Sequence, residues 1–192
     1  MHYRATNTGL GFITNDDQLV LGLSFSNVGD DVWLVTGAEE SMSTWASRVS
    51  AIALSNAEIK AIHVAAVWER IKAMREVRLD TGGYPAAGHW YNSDVRAKGE
   101  QSDLALQADE LVRNSGDLTA QYVTAGVPVA WKTMDNGFVP MTGNLALAIR
   151  DAAREQTVKT YKAAATHQYF MTISADPLAY DFSTGWPAVY GE

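Results

Sequence analysis

The side chains best suited to metal ligation or proton transfer here are four histidines, His2, His63, His89 and His167, and no two share a ligating spacing such as His-Glu-x-x-His. They are read as packed or surface histidines. Three acidic pairs, Asp16-Asp17, Asp30-Asp31 and Glu39-Glu40, fall in expected turns. Adjacent carboxylates in a turn can hold a divalent cation, but the plainer reading is that water solvates them. Gly9-Leu10-Gly11 is too short to cradle a phosphate, and no Gly-Lys-Ser/Thr follows it. No Gly-x-Ser-x-Gly elbow occurs, and the serines between Ser41 and Ser50 read as a polar helix face. The absence of cysteine removes disulfides, thiolate metal sites and cysteine nucleophiles together. A carboxylate pair that converges only in three dimensions is the glycosidase arrangement that a sequence leaves open. The expectation is therefore a chain with no catalytic residue, no metal and no cofactor. Tyr84, Trp90 and Tyr180 could stack on sugars, yet core packing is the preferred reading for each.

The elements that would position these side chains form an α+β plan. Residues 1 to about 37 are β-like: Gln18–Phe25 and Asp31–Thr36 flank the turn-rich Ser26-Asn27-Val28-Gly29-Asp30, which predicts an N-terminal hairpin. Met42, Trp45, Val49 and Ile52 predict a helix over Met42–Leu54. Ser55-Asn56-Ala57-Glu58 reads as a capping box opening a helix to about Arg78, with Val64, Val67, Trp68, Ile71, Met74 and Val77 as its stripe. Thr81-Gly82-Gly83-Tyr84-Pro85 should end it. His89-Trp90-Tyr91 reads as a short strand entering a helix capped by Ser93 or Asp94 and running to about residue 114, with Leu104, Ala108 and Leu111 on its apolar face. Leu118–Val129 reads as an extended arm. Asn136-Gly137, which tolerates positive φ at both turn positions, predicts a hairpin between Trp131–Met134 and Phe138–Met141. Thr142 should cap a long helix, about Gly143 to Met171, rich in alanine. Alanine favours helix but buries little area, so such a helix gains stability by close approach to another.

Three segments follow: 1–40 as an N-terminal β segment for attachment or docking, 41–173 as a mainly helical domain, and 174–192 as an extended C-terminal tail. The tail carries Leu178, Tyr180, Phe182 and Trp186 without helical period. Docked, it would bury on the order of several hundred Å², worth several kcal/mol at roughly 25 cal/mol per Å². It either clamps its own fold or docks on a partner. At 192 residues and 47% hydrophobic the chain can build a true core, and 19% charged is too low for disorder. The net charge of −7 argues against nucleic acid and anionic membranes as partners. No window approaches 18 uninterrupted apolar residues, so no membrane insertion is expected. Met1–Asn7 lacks the plan of a signal peptide, which predicts a soluble protein used without secretory export.

Residues from about 57 to 173 resemble an uncharacterised domain found in tail-associated proteins of tailed bacteriophages, beside tail-fibre and fibre-assembly genes. The matching pieces are Val67-Trp68-Glu69-Arg70-Ile71-Lys72-Ala73-Met74-Arg75, Gly82-Gly83, Gly88-His89-Trp90-Tyr91-Asn92-Ser93-Asp94, Trp131-Lys132-Thr133-Met134-Asp135 and the Ala-rich helix through His167. Asp176–Pro187 looks like a terminus of relatives. Asp117–Gly126 is longer than the pattern, and the first forty residues match nothing in it. The resemblance implies a virion or virion-assembly role and supplies no catalytic residues.

The leading expectation is a structural component of the distal phage tail, a baseplate or fibre-attachment piece, made in the host cytoplasm and located in the virion. Its partners would be itself, as a homo-oligomer with trimers fitting tail-tip pieces, and other tail, baseplate or fibre proteins. The docking side chains would be Leu21, Leu23, Phe25 and Trp33 at one end and Leu178, Tyr180, Phe182 and Trp186 at the other. The alternative is a tail-fibre assembly chaperone not retained in the virion. An enzyme acting on polysaccharide or peptidoglycan comes third.

Overall fold

A computed structural model describes residues 1–5, 12–19, 21–29 and 31–192 of the chain. Two compact units result, Met1–Ala65 and Ala66–Glu192. The fold class is α+β, with an N-terminal hairpin and a long C-terminal helix.

In the first unit, β1 (His2–Arg4), β2 (Ser24–Gly29), β3 (Val32–Thr36) and β4 (Ile52–Ala53) form an antiparallel sheet in the order β2-β3-β1-β4. Val32-Trp33-Leu34-Val35-Thr36 is the β-branched and aromatic run that suits such a sheet. Val32 and Val35 are buried. The expected hairpin exists as β2–β3, with a bulge between Asn27 and Gly29. Its first strand starts later than expected, because Asn15–Leu19 is a short helix, α1. Thr14 and Asp17 drive that change: the Asp17 carboxylate accepts from the Thr14 amide at 2.7 Å and hydroxyl at 3.0 Å. Asp17 is 2% exposed and paired with Arg48 at 2.5 Å, so this acid is a buried anchor rather than a solvated turn residue. Glu39 and Glu40 lie in the first helical turn of α2 (Glu39–Arg48), where the helix dipole favours them. Asp30, Val20 and the Gly9-Leu10-Gly11 run lie outside the described residues.

The helix expected over Met42–Leu54 ends at Arg48. Ser50 takes φ 55°, and the Ala51 amide reaches back to the Ala46 carbonyl at 2.8 Å, a Schellman closure without glycine. Ile52 then pairs with Arg4 in the sheet and is exposed. Trp45, fully buried, is the hub of this unit's core. Tyr3, Phe12 and Phe25 surround it at centroid distances of 5.6, 5.5 and 5.1 Å, and its indole N–H donates to the Phe12 carbonyl.

The capping box forms as expected: the Ser55 amide donates to Glu58 at 2.9 Å and the Glu58 amide to the Ser55 hydroxyl at 3.3 Å. It opens α3 (Asn56–Thr81), which runs on into the second unit. Val67, Ile71 and Leu79 are buried, whereas Val77 lies off the buried face at 61% exposed. Gly83 at φ 66° ends the helix region; a Cβ there would sit 2.4 Å from the Met134 sulfur.

In the second unit, β5 (Tyr84–Ala86) pairs with β6 (His89–Tyr91). Asp94 then caps α4 (Val95–Arg113) by accepting from the Ala97 amide. The neighbouring Ser93 hydroxyl accepts from Gly83 N–H instead. The expected arm at Leu118–Val129 is a hairpin: β7 (Val123–Thr124) and β8 (Val127–Pro128) turn at Ala125 (φ 51°) and Gly126 (φ 80°). A further hairpin joins β9 (Ala130–Lys132) to β10 (Phe138–Pro140). Its turn differs from the expectation. Asn136 alone takes positive φ (61°), because the Thr133 hydroxyl and backbone close a longer loop onto Gly137.

Thr142 caps α5 (Gly143–Ile173) by accepting from Leu145 N–H at 3.2 Å. α4 and α5 pack side by side. Ala105, Ala108 and Ala146 are all buried, and such small side chains let the two backbones approach closely. Arg150 bonds Asp109 across this contact at 2.7 Å. Tyr84, Tyr91, Met141, Leu145 and Ile149 complete the adjoining core.

Candidate protein-docking surfaces

The four N-terminal residues expected to dock are engaged within their own unit. Leu23 is buried, and Leu21, Phe25 and Trp33 pack against the core around Trp45. Trp33 also tilts against Phe12 at 5.1 Å.

The C-terminal four are drawn into the second unit as well. After α5 the chain breaks at Ser174, where Asp176 accepts from the Leu178 amide, and then folds back. Phe182 is 9% exposed, with the Arg70 guanidinium 5.0 Å over its ring. The Trp186 indole N–H donates to the Phe182 carbonyl at 2.7 Å. His167, on the inner face of α5, accepts or donates at Nδ1 with the Tyr180 hydroxyl (2.9 Å) and lies against the Trp186 ring at 5.1 Å. Burial pushes the His167 imidazole below its ordinary range, against the opposing pull of the Thr184 backbone and Asp181. Bonds from Ser183 hold Asp181 below the usual carboxylate range. Leu178 alone of these four is well exposed.

The last residues close the arrangement. Arg78 donates to the Pro187 carbonyl at 3.0 Å and grips both Glu192 oxygens at 2.6 and 3.2 Å. That hydrogen bond, with the charge behind it, holds Glu192 below the ordinary range. Gln156 donates to the Ala188 carbonyl, and Tyr190 N–H donates to that of Gly82, both at 2.8 Å. Val189 seats against Gly82, where a Cβ would stand 2.5 Å from it. The tail thus clamps its own unit.

Between α3 and this tail lies an open groove of about 640 Å³. Its floor is apolar (Met74, Val77, Phe182, Val189) and its rim charged (Arg70, Arg78, Glu192). A side chain of mixed character could seat there. No reactive constellation accompanies it among the described residues. Nor do three or more His, Asp or Glu converge there as metal ligands. His2 and His63 meet edge to face at 5.8 Å, and burial, then His63, lowers His2. His89 pairs with Asp135 at 3.1 Å on the surface. Of the three aromatics weighed as sugar platforms, Tyr84 is buried and bonded to Gln101, Tyr180 is partly covered by His167, and Trp90 meets Tyr190 at 6.0 Å.

A second exposed apolar surface is the outer face of α5. Val158 (67% exposed), Tyr169 (62%) and Ile173 (59%) lie on the side opposite the buried Thr160, Ala164, His167 and Met171. Tyr161, 48% exposed, and Ala165 fall in line with them. The spacing 158, 161, 165, 169, 173 was present in the sequence; the alanines drew attention to packing and away from it.

Residues 58–184 match the model of a family described as "Domain of unknown function (DUF4376)". That is about two thirds of the chain, and the chain belongs to this family. The match begins inside the capping box and ends before the Arg78–Glu192 clasp. No curated protein and no solved structure matches. Among the described residues, no helix is long and apolar enough to cross a membrane.

Proposed function

We propose that this member of the DUF4376 family is a structural component of the distal tail of a tailed bacteriophage, a baseplate or fibre-attachment piece that works by docking and not by catalysis. Two lines support this reading. One is the resemblance carried by the Val67–Arg75, Gly88–Asp94 and Trp131–Asp135 segments. The other, which carries it furthest, is the apolar outer face of α5, with three large side chains each more than half exposed. A row of such residues on one helix marks an interaction surface rather than scatter. With both chain ends occupied, docking falls to helix faces and to the groove beside α3. Its partners would be a copy of itself and other tail, baseplate or fibre proteins. The net charge of −7 favours protein partners over nucleic acid.

Mass spectrometry and a denaturing gel on purified particles test this. A stoichiometric band in washed virions supports the proposal. Absence from virions, together with rescue of soluble fibre on co-expression, would replace it with an assembly-chaperone role. Absence with no such rescue would end both.

A further inference from the structure

We propose that the outer face of α5 pairs with the same face of a second copy, antiparallel, about a two-fold axis at Ala165. This deepens the docking reading above by naming one partner and its geometry.

A two-fold interface must be self-complementary, each residue meeting its mirror. The exposed stripe has that order: Val158, Tyr161, Ala165, Tyr169, Ile173. Tyr161 and Tyr169 lie four residues, about 6 Å, on either side of Ala165. Branched aliphatic side chains stand beyond each. In an antiparallel pair, the tyrosine of one copy meets the other tyrosine of its partner, and Val158, seven residues before Ala165, comes within one residue of Ile173, eight residues after it. At the centre, alanine meets alanine and permits the closest approach. Tyr161 is already fixed, with the Arg75 guanidinium 4.8 Å from its ring centroid.

Charge selects the antiparallel sense. From Arg150 to Lys162, α5 carries Arg150, Asp151, Arg154, Glu155, Lys159 and Lys162, a net positive stretch. From residue 163 to the helix end there is no charge, and Asp176 follows. Parallel pairing would set lysines against lysines. Antiparallel pairing sets the cationic half against the neutral half, and places Arg154 opposite Asp176, each eleven residues from Ala165. Arg154 is available: its side chain is 69% exposed and its contact with Asp151, at 3.8 Å, is loose. The stripe spans about 24 Å of helix, which places the contact at the small end of stable interfaces, and the dimer proposed is a weak one with a Kd of about micromolar order.

The full chain should therefore sediment as a concentration-dependent dimer of the 20.9 kDa protein. Ala165→Glu places two carboxylates at the axis and should weaken dimerisation about 100-fold, with an unchanged circular dichroism spectrum. Because the chain has no cysteine, introduced ones report the sense directly. V158C mixed with I173C should form a disulfide-linked dimer, while neither alone should. A wild-type monomer at about 100 µM, well above a micromolar Kd, would overturn the proposal. So would a trimer, or crosslinking of V158C to itself. These measurements concern the purified chain alone, and the virion experiment is decided by particles, so either idea can fail without the other.

Discussion

Replacing Phe182 with alanine should cost the Ala66–Glu192 unit about 3 kcal/mol, because the tail is held by burial more than by its surface ion pair. Phe182 is 9% exposed. A buried phenylalanine covers roughly 150–250 Å², of which alanine would keep a part. Losing about 120 Å² at roughly 25 cal/mol per Å² gives about 3 kcal/mol. The Arg70 ring contact adds about 0.5–1 kcal/mol. The groove beside Phe182 is open, so water can enter the vacated space, which offsets a similar amount.

Chemical denaturation followed by tryptophan fluorescence reads the total. The two units need not unfold together, so amide exchange resolves which one responds. Tyr190 N–H, bonded to the Gly82 carbonyl at 2.8 Å, is the reporter for tail docking. It lies eight residues from Phe182 and should exchange about 100-fold faster in the variant, since each tenfold is about 1.4 kcal/mol. A loss below about 1 kcal/mol with Tyr190 exchange unchanged would refute the clamp. The tail would then be free to dock elsewhere, as one reading of its sequence allowed.

Three further outcomes follow from the same geometry. Gly83→Ala should destabilise the second unit by at least about 2 kcal/mol in the same denaturation assay, since a Cβ at φ 66° meets the Met134 sulfur at 2.4 Å and the Tyr91 carbonyl at 2.9 Å. Asp94→Ala removes the bond from Ala97 N–H and should cost about 1 kcal/mol, largely restored by Asp94→Ser. Burial lowers the His167 pKa from 6.5, so the unfolded state takes up the proton first as pH falls. Its contribution is fully present above pH 6.5 and is lost progressively below that value, toward the lower folded pKa. Denaturation midpoints of the second unit between pH 8 and pH 5 should show this fall, and H167Q should flatten it.

What the sequence showed and hid divides along local against non-local causes. The capping box at Ser55, the Asp94 and Thr142 caps and the Gly83 stop depend on neighbours a few residues away, and each was legible. The two hairpins show the limit. Asn136-Gly137 carried the stronger turn signal, yet the turn with positive φ at both central residues formed at Ala125-Gly126. There, Val129 and Tyr122 are tied to each other and to Met141, so the surrounding bonds impose the turn that the dipeptide itself does not demand. Likewise Ile52 completes a helical spacing, but Ser50 in the left-handed region closes the helix first and Ile52 goes to the sheet. Asp17 was hidden for the same reason: its partner Arg48 is 31 residues away. Composition could not separate a clamp from a docking arm in the tail. What decides it is the set of donors, Arg78 and Gln156, and the apolar surface that α3 and α5 offer.

The fate of that tail changes where an assembly partner can act. An aromatic-rich terminus in a chain with thin, alanine-rich helices suggests that the ends are adhesive and the helices passive. In the folded unit the tail is occupied, and the exposed apolar row lies on a helix. The tail supplies the bulk that the alanines of α5 lack: Tyr180 and Trp186 fill the inner side around His167 and Ala163, and Phe182 is buried under Arg70 of α3. With its inner face satisfied within one chain, α5 has no folding reason to carry Val158, Tyr169 and Ile173 on the outside. Each costs solubility there and gains nothing from burial. Apolar groups on a helix face that its own fold leaves uncovered are accounted for when a second surface covers them, and the order of this stripe, with Tyr161 and Tyr169 four residues either side of Ala165 and an aliphatic residue beyond each, is the order a copy of itself would match to within one residue.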